Sequence, residues 1–259
     1  MTRLSDSELI LYHGELVRRR NLPSNNPEHL SSEWVRAFFE GKLVLREDIA
    51  KGLVIALKPY IEAMISAGLH KYAIAPDGTE GMKPKDYRKL WPMSVVQPLE
   101  YAGRFDLVLL VDRTIPNDRL FACGKFHQPE PVESVFTTAG GYLIDEVAPP
   151  TSSSGWPLRR YVAFVRYVRN QNQSGEDSYA KAEPDEVGLV TVEGLHTLVE
   201  HLSILHGHNC VWPGSIGTTE YRQYSKPGLC WPDGRPALQD SGASDEYSAF
   251  RGRKVTAVD

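Results

Sequence analysis

The 259-residue chain has little cysteine and no long apolar segment. Its three cysteines, Cys123, Cys210 and Cys230, are odd in number and widely separated, and no Cys-x-x-Cys pair occurs. A disulfide framework is therefore not expected, and this cysteine usage is typical of a reducing cytoplasm. No run of about 18 apolar residues occurs, which predicts that no helix spans a membrane. The first eight residues are polar and acidic, so we expect no secretory signal there.

The chain also has no excess of basic residues. Its 29 Lys and Arg residues are outnumbered by 33 Asp and Glu residues, which gives a formal net charge of -4. Residues 1–92 hold 14 basic and 12 acidic residues, whereas residues 93–259 hold 15 and 21. Because phosphate backbones and anionic lipids attract basic surfaces, we expect neither part to bind nucleic acid or a membrane.

Helical patterns dominate the first 92 residues. Capping signals predict one helix that begins after Ser5 and a second that begins at Asn26-Pro27. A third helical region is expected over residues 46–68. Pro59 should kink or split that region, because proline removes a backbone hydrogen bond inside a helix. A short helix is expected over residues 85–91.

After residue 92 the patterns become those of strands. The apolar runs 105–111 and 161–168 predict two strands, and residues 134–144 are expected to hold a third. Apolar residues at helical spacing after Thr191 predict a helix over 191–205. The expected fold is α+β, with a helical subdomain, 1–92, packed against a mixed β-sheet in an α/β domain, 93–259, flanked by the helix near 191–205. The alternative is one continuous globular unit.

Several short motifs follow one another in the C-terminal part of the chain. They are Val190-Thr191-Val192-Glu193-Gly194, Asn209-Cys210, Gly214-Ser215, Pro227-Gly228-Leu229 and Gly234-Arg235-Pro236. This order resembles that of an uncharacterised bacterial family, a domain of unknown function, over about residues 100–240. The resemblance implies a related fold for that part of the chain. It implies no activity, cofactor or site residue, because none is attached to the family.

Histidine and cysteine are concentrated in one segment. His196, His201, His206, His208 and Cys210 fall within 15 positions. If residues 206–210 are extended, His206, His208 and Cys210 point to one face, and zinc accepts both imidazole nitrogen and thiolate sulfur. These three residues are a candidate zinc site, and no other cofactor is expected. The alternative is that the histidines lie on a helix surface or at its C-terminus while Cys210 packs in the core.

Three residues are candidates for catalysis. Each of the three cysteines could be a thiolate nucleophile paired with a nearby histidine, and Cys210 and His208 are the candidates of this kind. Asp112, at the C-terminal end of a predicted strand, is a candidate general acid or base. The alternative for Asp112 is a salt bridge, since Arg113 follows it. The sequence contains no phosphate-binding loop and no nucleophile elbow.

Tryptophans beside glycine or proline provide a further set of candidates. Trp156, Trp212 and Trp231 have this setting, which is common in loops and partner surfaces. We expect them to bind a ligand or a partner; the alternative is packing at the edge of the core. Two functional hypotheses follow. The first is a soluble cytoplasmic protein that binds a small molecule or a protein. The second is an enzyme with a metal or thiol site in the 196–210 segment.

Overall fold

A computed structural model describes residues 52–101, 104–105, 107–124, 142–170, 180–201, 208–218, 226–231, 237–241 and 247–258. The helices predicted after Ser5 and at Asn26-Pro27 lie outside these residues. The chain divides into two compact units, Met1–Ala56 with Ser94–Asp106 and Leu57–Met93 with Leu107–Asp259. The subdomain boundary expected near residue 92 stays a prediction. No helix among the described residues is long and apolar enough to cross a membrane.

The described part of the first unit is a two-stranded antiparallel sheet with a short 3-10 turn. Strand β1, Gly52–Ala56, pairs with β2, Ser94–Pro98, and the turn covers Leu99–Tyr101. The buried Gln97 amide donates to the carbonyl oxygen of Phe105 at 2.7 Å. This hydrogen bond ties the end of the turn back to β2.

The helix predicted over residues 46–68 is wrong for residues 52–56, which form strand β1. The β-branched pair Val54-Ile55 favours an extended backbone. A helix, α1, does follow at Lys58–Ser66, and Pro59 lies in its first turn. A proline there removes an N–H that has no partner within the helix, so Pro59 helps to begin the helix and does not kink it.

The second unit contains three more helices among its described residues. They are α2, Pro84–Leu90, α3, Asn117–Cys123, and α4, Thr191–Glu200. Helix α2 confirms the short helix predicted over residues 85–91. Helix α3 was not predicted, although Pro116 and Asp118 at its beginning are typical of a helix N-terminus.

An eight-stranded mixed sheet forms the framework of the second unit. Its strands are β3, Leu107–Asp112, β5, Arg160–Arg169, β6, Glu186–Gly188, β7, Cys210–Val211, β9, Lys226–Cys230, β10, Ala237–Ser241, β11, Tyr247–Gly252, and β12, Thr256–Ala257. The order is β10-β9-β7-β11-β5-β12, with β3 also paired to β5 and β6 to β11. The β7–β11 pair is parallel and the other pairs are antiparallel.

The sheet confirms the α+β class and two of the predicted strands, since β3 and β5 cover the two apolar runs. The third predicted strand is described only over β4, Tyr142–Asp145, which pairs with β8, Ser215–Thr218, in a separate two-stranded sheet. Strand β6, which no pattern in the sequence predicted, begins at Glu186 and pairs with β11.

Helix α4 is buried along almost its whole length and packs on β3, α1 and α3. Its close approach to the chain around β7 depends on Gly194, because a Cβ at that position would overlap the Trp212 ring. The predicted helix over 191–205 is confirmed as far as Glu200. His201 ends it, and residues 202–207 lie outside the described part of the chain.

Candidate functional site

The most exposed of the candidate tryptophans, Trp156, stands on a tight turn that precedes β5. The Ser152 N–H donates to the Trp156 carbonyl oxygen at 2.8 Å, and the Gly155 N–H donates to the Ser152 carbonyl oxygen at 2.9 Å. Gly155 has a φ of 83°, a left-handed conformation that glycine adopts without strain. The Trp156 side chain is 75% exposed. The turn therefore holds a large apolar ring out in solvent.

Beside this ring lies an open hollow of about 690 Å³, which we call the Trp156 groove. It is lined by Pro76, Lys89, Leu90, Ser152, Ser154, Trp156, Pro157, Leu158, Arg159, Arg160 and Val258. One wall therefore comes from the end of helix α2 and the loop before it, and the other from the tryptophan turn. Its volume is within the range of small-molecule sites.

Two consecutive arginines in the groove have opposite environments. Leu158 is buried, Arg159 is exposed and Arg160 is buried, because side chains alternate in direction along extended backbone. The Arg159 carbonyl oxygen accepts from the Arg113 N–H at 2.8 Å, and the Arg160 carbonyl oxygen accepts from the Val258 N–H at 3.1 Å. The backbone on both sides of the Arg159 side chain is thereby fixed.

Arg160 is held by a buried ion pair. Its Nε donates to Asp112 Oδ2 at 2.9 Å, and the side chains of Arg160 and Asp112 are 3% and 0% exposed. Asp112 Oδ1 accepts from the Thr114 N–H at 3.0 Å and from the Thr114 hydroxyl at 2.5 Å. Asp112 and Arg160 are also directly opposite each other in the β3–β5 register. The charge and the hydrogen-bonding capacity of this carboxylate are therefore largely satisfied by protein groups.

The same pair connects the two walls of the groove. Arg160 Nη2 donates to the Ile74 carbonyl oxygen and, at 3.1 Å, to the Thr114 hydroxyl. The Ile74 N–H donates in turn to Thr114 Oγ1 at 3.0 Å. Ile74 lies two residues before Pro76 in one wall, and Arg160 follows the tryptophan turn in the other. The buried pair thus fixes the spacing of the walls.

A second polar group lies deeper, on helix α4. His196 and Glu200 are four residues apart and both are fully buried, with Nδ1 of His196 3.7 Å from Oε1 of Glu200. The other imidazole nitrogen, Nε2, is 3.1 Å from the Asp112 N and 3.2 Å from the Asp112 O. Glu200 Oε2 accepts from the Leu110 N–H at 3.0 Å.

Glu200 has no cation among these partners, and its pKa reflects this. Burial raises the pKa of this carboxyl to about 7, although His196 and the Leu110 N–H lower it in part. The 3.7 Å distance from His196 is longer than a hydrogen bond. Within the part of the chain that the structure describes, neither His196 Nδ1 nor Glu200 Oε1 has a hydrogen-bond partner. The pair is fully enclosed, so it is not an exposed acid–base site.

Asp112, a catalytic candidate in the sequence, is placed in the core. It forms the ion pair that the sequence left as the alternative, but the partner is Arg160 from β5 and not the neighbouring Arg113. The Arg113 guanidinium lies 3.8 Å from Asp145 instead. Asp112 supports the groove from beneath and does not line it.

Two of the predicted metal and thiol residues, Cys210 and His208, are described by the structure, and they differ in solvent exposure. Cys210 is buried in β7, whereas His208 is exposed, with its ring edge-on to Tyr247 at 5.4 Å. His206 lies outside the described residues, so the zinc set and the thiol–imidazole pair stay predictions. The helix-surface position, part of the alternative stated for the histidines, is wrong for His196, whose ring is fully buried.

Among the described residues, one group of three acidic side chains could reach a single metal ion. It consists of Glu183, Asp185 and Glu186. The guanidinium of Arg166 already lies on this group, with Nη2 2.7 Å from Glu186 Oε2 and 3.4 Å from Glu183 Oε1. Because Arg166 already pairs with two of these three carboxylates, we do not treat the group as a metal site.

The three candidate tryptophans have different environments. Trp156 lines the groove, whereas Trp212 is 1% exposed and packs against Gly194 in the core. Trp231 is half-buried, and its indole N–H donates to the His208 carbonyl oxygen at 2.8 Å. Core packing, the alternative stated for this set, is therefore the observed role of Trp212.

Sequence reasoning missed the basic residues of the groove, Lys89 and Arg159, and the connecting residue Thr114. The sequence did contain a usable signal for Arg159. Arg159 and Arg160 are consecutive charged residues at the start of a strand, where neighbouring side chains point in opposite directions. No protein-family model, curated protein or solved structure matches the chain. The resemblance of residues 100–240 to an uncharacterised bacterial family stays a prediction.

Proposed function

We propose that the protein binds a small molecule in the Trp156 groove. The observation that carries the proposal is a 75% exposed indole ring, held on a hydrogen-bonded turn beside a hollow of about 690 Å³. Exposing an apolar ring of this size in water is unfavourable, and a ligand that covers it recovers that free energy. The cysteine pattern favours a cytoplasmic location for this activity.

The composition of the lining supports binding over catalysis. Among the described residues, the lining contains no histidine, cysteine, aspartate or glutamate, the side chains that most often act as base or nucleophile in enzymes. Its two serine hydroxyls, of Ser152 and Ser154, lie 2.8 Å apart and so have each other as partners. The lysine of the described lining, Lys89, lies 3.3 Å from Asp86.

The proposal is tested by a thermal-shift screen of cytoplasmic metabolites on three proteins: the wild type, Trp156→Ala and Ile144→Ala. Ile144 is also an exposed apolar residue, but it does not line the groove, so its variant is the matched control. A bound ligand stabilises the native state by mass action. We expect at least one compound to stabilise both the wild type and Ile144→Ala. The same compound should bind Trp156→Ala with an affinity lower by a factor of about ten or more.

The proposal is wrong if no compound stabilises the wild type, or if every shift persists in Trp156→Ala. Intrinsic fluorescence provides a second readout, because the exposed Trp156 should be quenched by iodide and protected by the ligand. The enzyme hypothesis for residues 196–210 is tested separately, by metal analysis of the purified protein. Stoichiometric zinc that disappears when His208→Ala and Cys210→Ala are combined would favour it.

A further inference from the structure

We propose that the ligand of the Trp156 groove is an anion that carries a planar ring, an inference that rests on the proposed function. The chain is acidic overall, with 29 basic and 33 acidic residues and a formal net charge of -4. The lining of the groove nevertheless contains no carboxylate among the described residues, and it contains the basic side chains of Lys89, Arg159 and Arg160. The sign of charge in the groove is therefore opposite to that of the chain as a whole.

Arg159 is the main anion-binding group. Its side chain is exposed, and no ion pair to it occurs among the described residues. Arg160 beside it is already neutralised by Asp112, so Arg159 is the guanidinium left to a ligand. A guanidinium binds phosphate or carboxylate oxygens in a bidentate geometry, which gives both affinity and orientation.

Lys89 supplies a second positive charge from the opposite wall. Its side chain is 75% exposed, and its ammonium lies 3.3 Å from Asp86. An exposed pair of this kind contributes little, so an incoming anion competes with it readily. Asp86 does not line the Trp156 groove. The two basic side chains therefore approach the hollow from different elements, α2 and the residue before β5.

The ring of the ligand is expected to lie on Trp156. The neighbouring lining is apolar, with Pro76, Leu90 and Pro157 around the hollow. Offset stacking on an indole favours a flat partner, and a flat ring also matches an open groove between two walls. Neutral sugars fit less well, because the part of the lining that the structure describes has no carboxylate or carboxamide side chain to accept their hydroxyl protons. Cationic ligands are disfavoured by Lys89 and Arg159.

The test uses two matched sets of probes and isothermal titration calorimetry. The first set is AMP, adenosine and ribose 5-phosphate; the second is benzoate, benzamide and acetate. Each set separates the ring from the charge, and the two sets separate phosphate from carboxylate as the anion. We expect the charged ring compound of at least one set to bind about tenfold or more tightly than either of its partial probes.

The variants assign the charge recognition to the groove. Arg159→Gln should weaken the charged ring compound about tenfold and leave its neutral counterpart unchanged. Lys89→Gln should also weaken binding of the charged ring compound. Arg119→Gln is the matched control, because Arg119 is an exposed arginine that does not line the groove. Raising the salt concentration should weaken binding of the charged ring compound to the wild type more than binding to Arg159→Gln.

The outcomes separate the two proposals. If the neutral probe of a set binds as tightly as the charged one, or if Arg159→Gln binds like wild type, the anion proposal is overturned. If neither charged ring compound binds, and the Trp156-dependent metabolites of the screen are neutral, the anion proposal is also overturned while the binding function stands. If no compound depends on Trp156, both proposals fail.

Discussion

Asp112 and Glu200 are two completely buried carboxylates that lie against the same histidine but are held in different ways. Asp112 has a permanent cation, Arg160, and two hydrogen-bond donors from Thr114. Glu200 has one backbone N–H, from Leu110, and a histidine 3.7 Å away. Burial raises the pKa of Glu200 to about 7. A buried carboxylate is thus stable as an anion only where the chain also supplies a cation.

Glu193, a further buried carboxylate of the second unit, follows the pattern of Asp112. Glu193 Oε1 accepts from the Tyr161 hydroxyl at 2.6 Å and from Arg251 Nε at 2.5 Å. Its Oε2 accepts from the Val190 N–H at 3.0 Å, at the beginning of α4. Helix α4 therefore begins on a carboxylate paired with an arginine and ends on one that has no lysine or arginine partner among the described residues.

The largest expected effect comes from removing the cation of the first pair. Arg160→Met should lower the free energy of unfolding by about 3–5 kcal/mol, because it leaves the Asp112 charge buried and uncompensated. Urea denaturation of wild type and variant measures the difference. Combining it with Asp112→Val should recover part of the loss, since the double variant has no buried charge left. A single variant as stable as wild type would contradict this role for the pair.

An intermediate effect, which depends on pH, is expected at Glu200. Its folded-state pKa of about 7 exceeds the ordinary glutamate value of 4.5. Between these values the folded protein holds a proton that the unfolded chain has released, so the contribution of Glu200 to stability is complete below pH 4.5 and is lost as the pH rises to 7. The loss amounts to about 3 kcal/mol. Glu200→Gln should therefore be more stable than wild type at pH 8 by up to that amount.

The measurement is the unfolding free energy of both proteins at several pH values from 5 to 8. The gap between variant and wild type should widen as the pH rises and then level off. The groups around Glu200 are His196 and the phenols of Tyr60, Tyr87 and Tyr167. Glu193→Gln is the control of opposite sign, because it removes the partner of Arg251 and should destabilise at pH 8. A gap that does not vary with pH would overturn the assignment.

Local patterns in the sequence predicted the elements better than the site. Strands β3 and β5 were predicted because both are continuous apolar runs. Strand β1 was missed because residues 52–56 were assigned to the same helix as Pro59, and that helix begins only at Lys58. The Asp112–Arg160 pair joins residues 48 positions apart, and the His196 contact to Asp112 joins residues 84 apart. Such partners depend on strand register and helix docking, which no local pattern specifies.

The tryptophans show the same limit at the candidate site. Trp156 and Trp212 both stand beside proline, yet one is exposed and the other is in the core. The difference lies in what each meets in three dimensions. Gly194, 18 positions earlier in the chain, leaves room for the Trp212 ring, whereas the turn around Gly155 directs Trp156 into solvent. Sequence could nominate these residues but could not rank them.

The smallest expected effect concerns an ion pair at the surface. Arg88 binds Glu62 through two parallel hydrogen bonds of 2.7 and 2.9 Å, from Nε and Nη2 to the two carboxylate oxygens. The two side chains are 43% and 39% exposed. Water and salt screen this pair, and both ions are well solvated when it breaks. Arg88→Gln should therefore leave the urea midpoint almost unchanged, although the hydrogen bonds of Arg88 to Glu62 are as short as the 2.9 Å bond from Arg160 to Asp112. If Arg88→Gln destabilised the protein as much as Arg160→Met, burial would not be what distinguishes the two pairs, and the account of Glu200 would lose its basis as well.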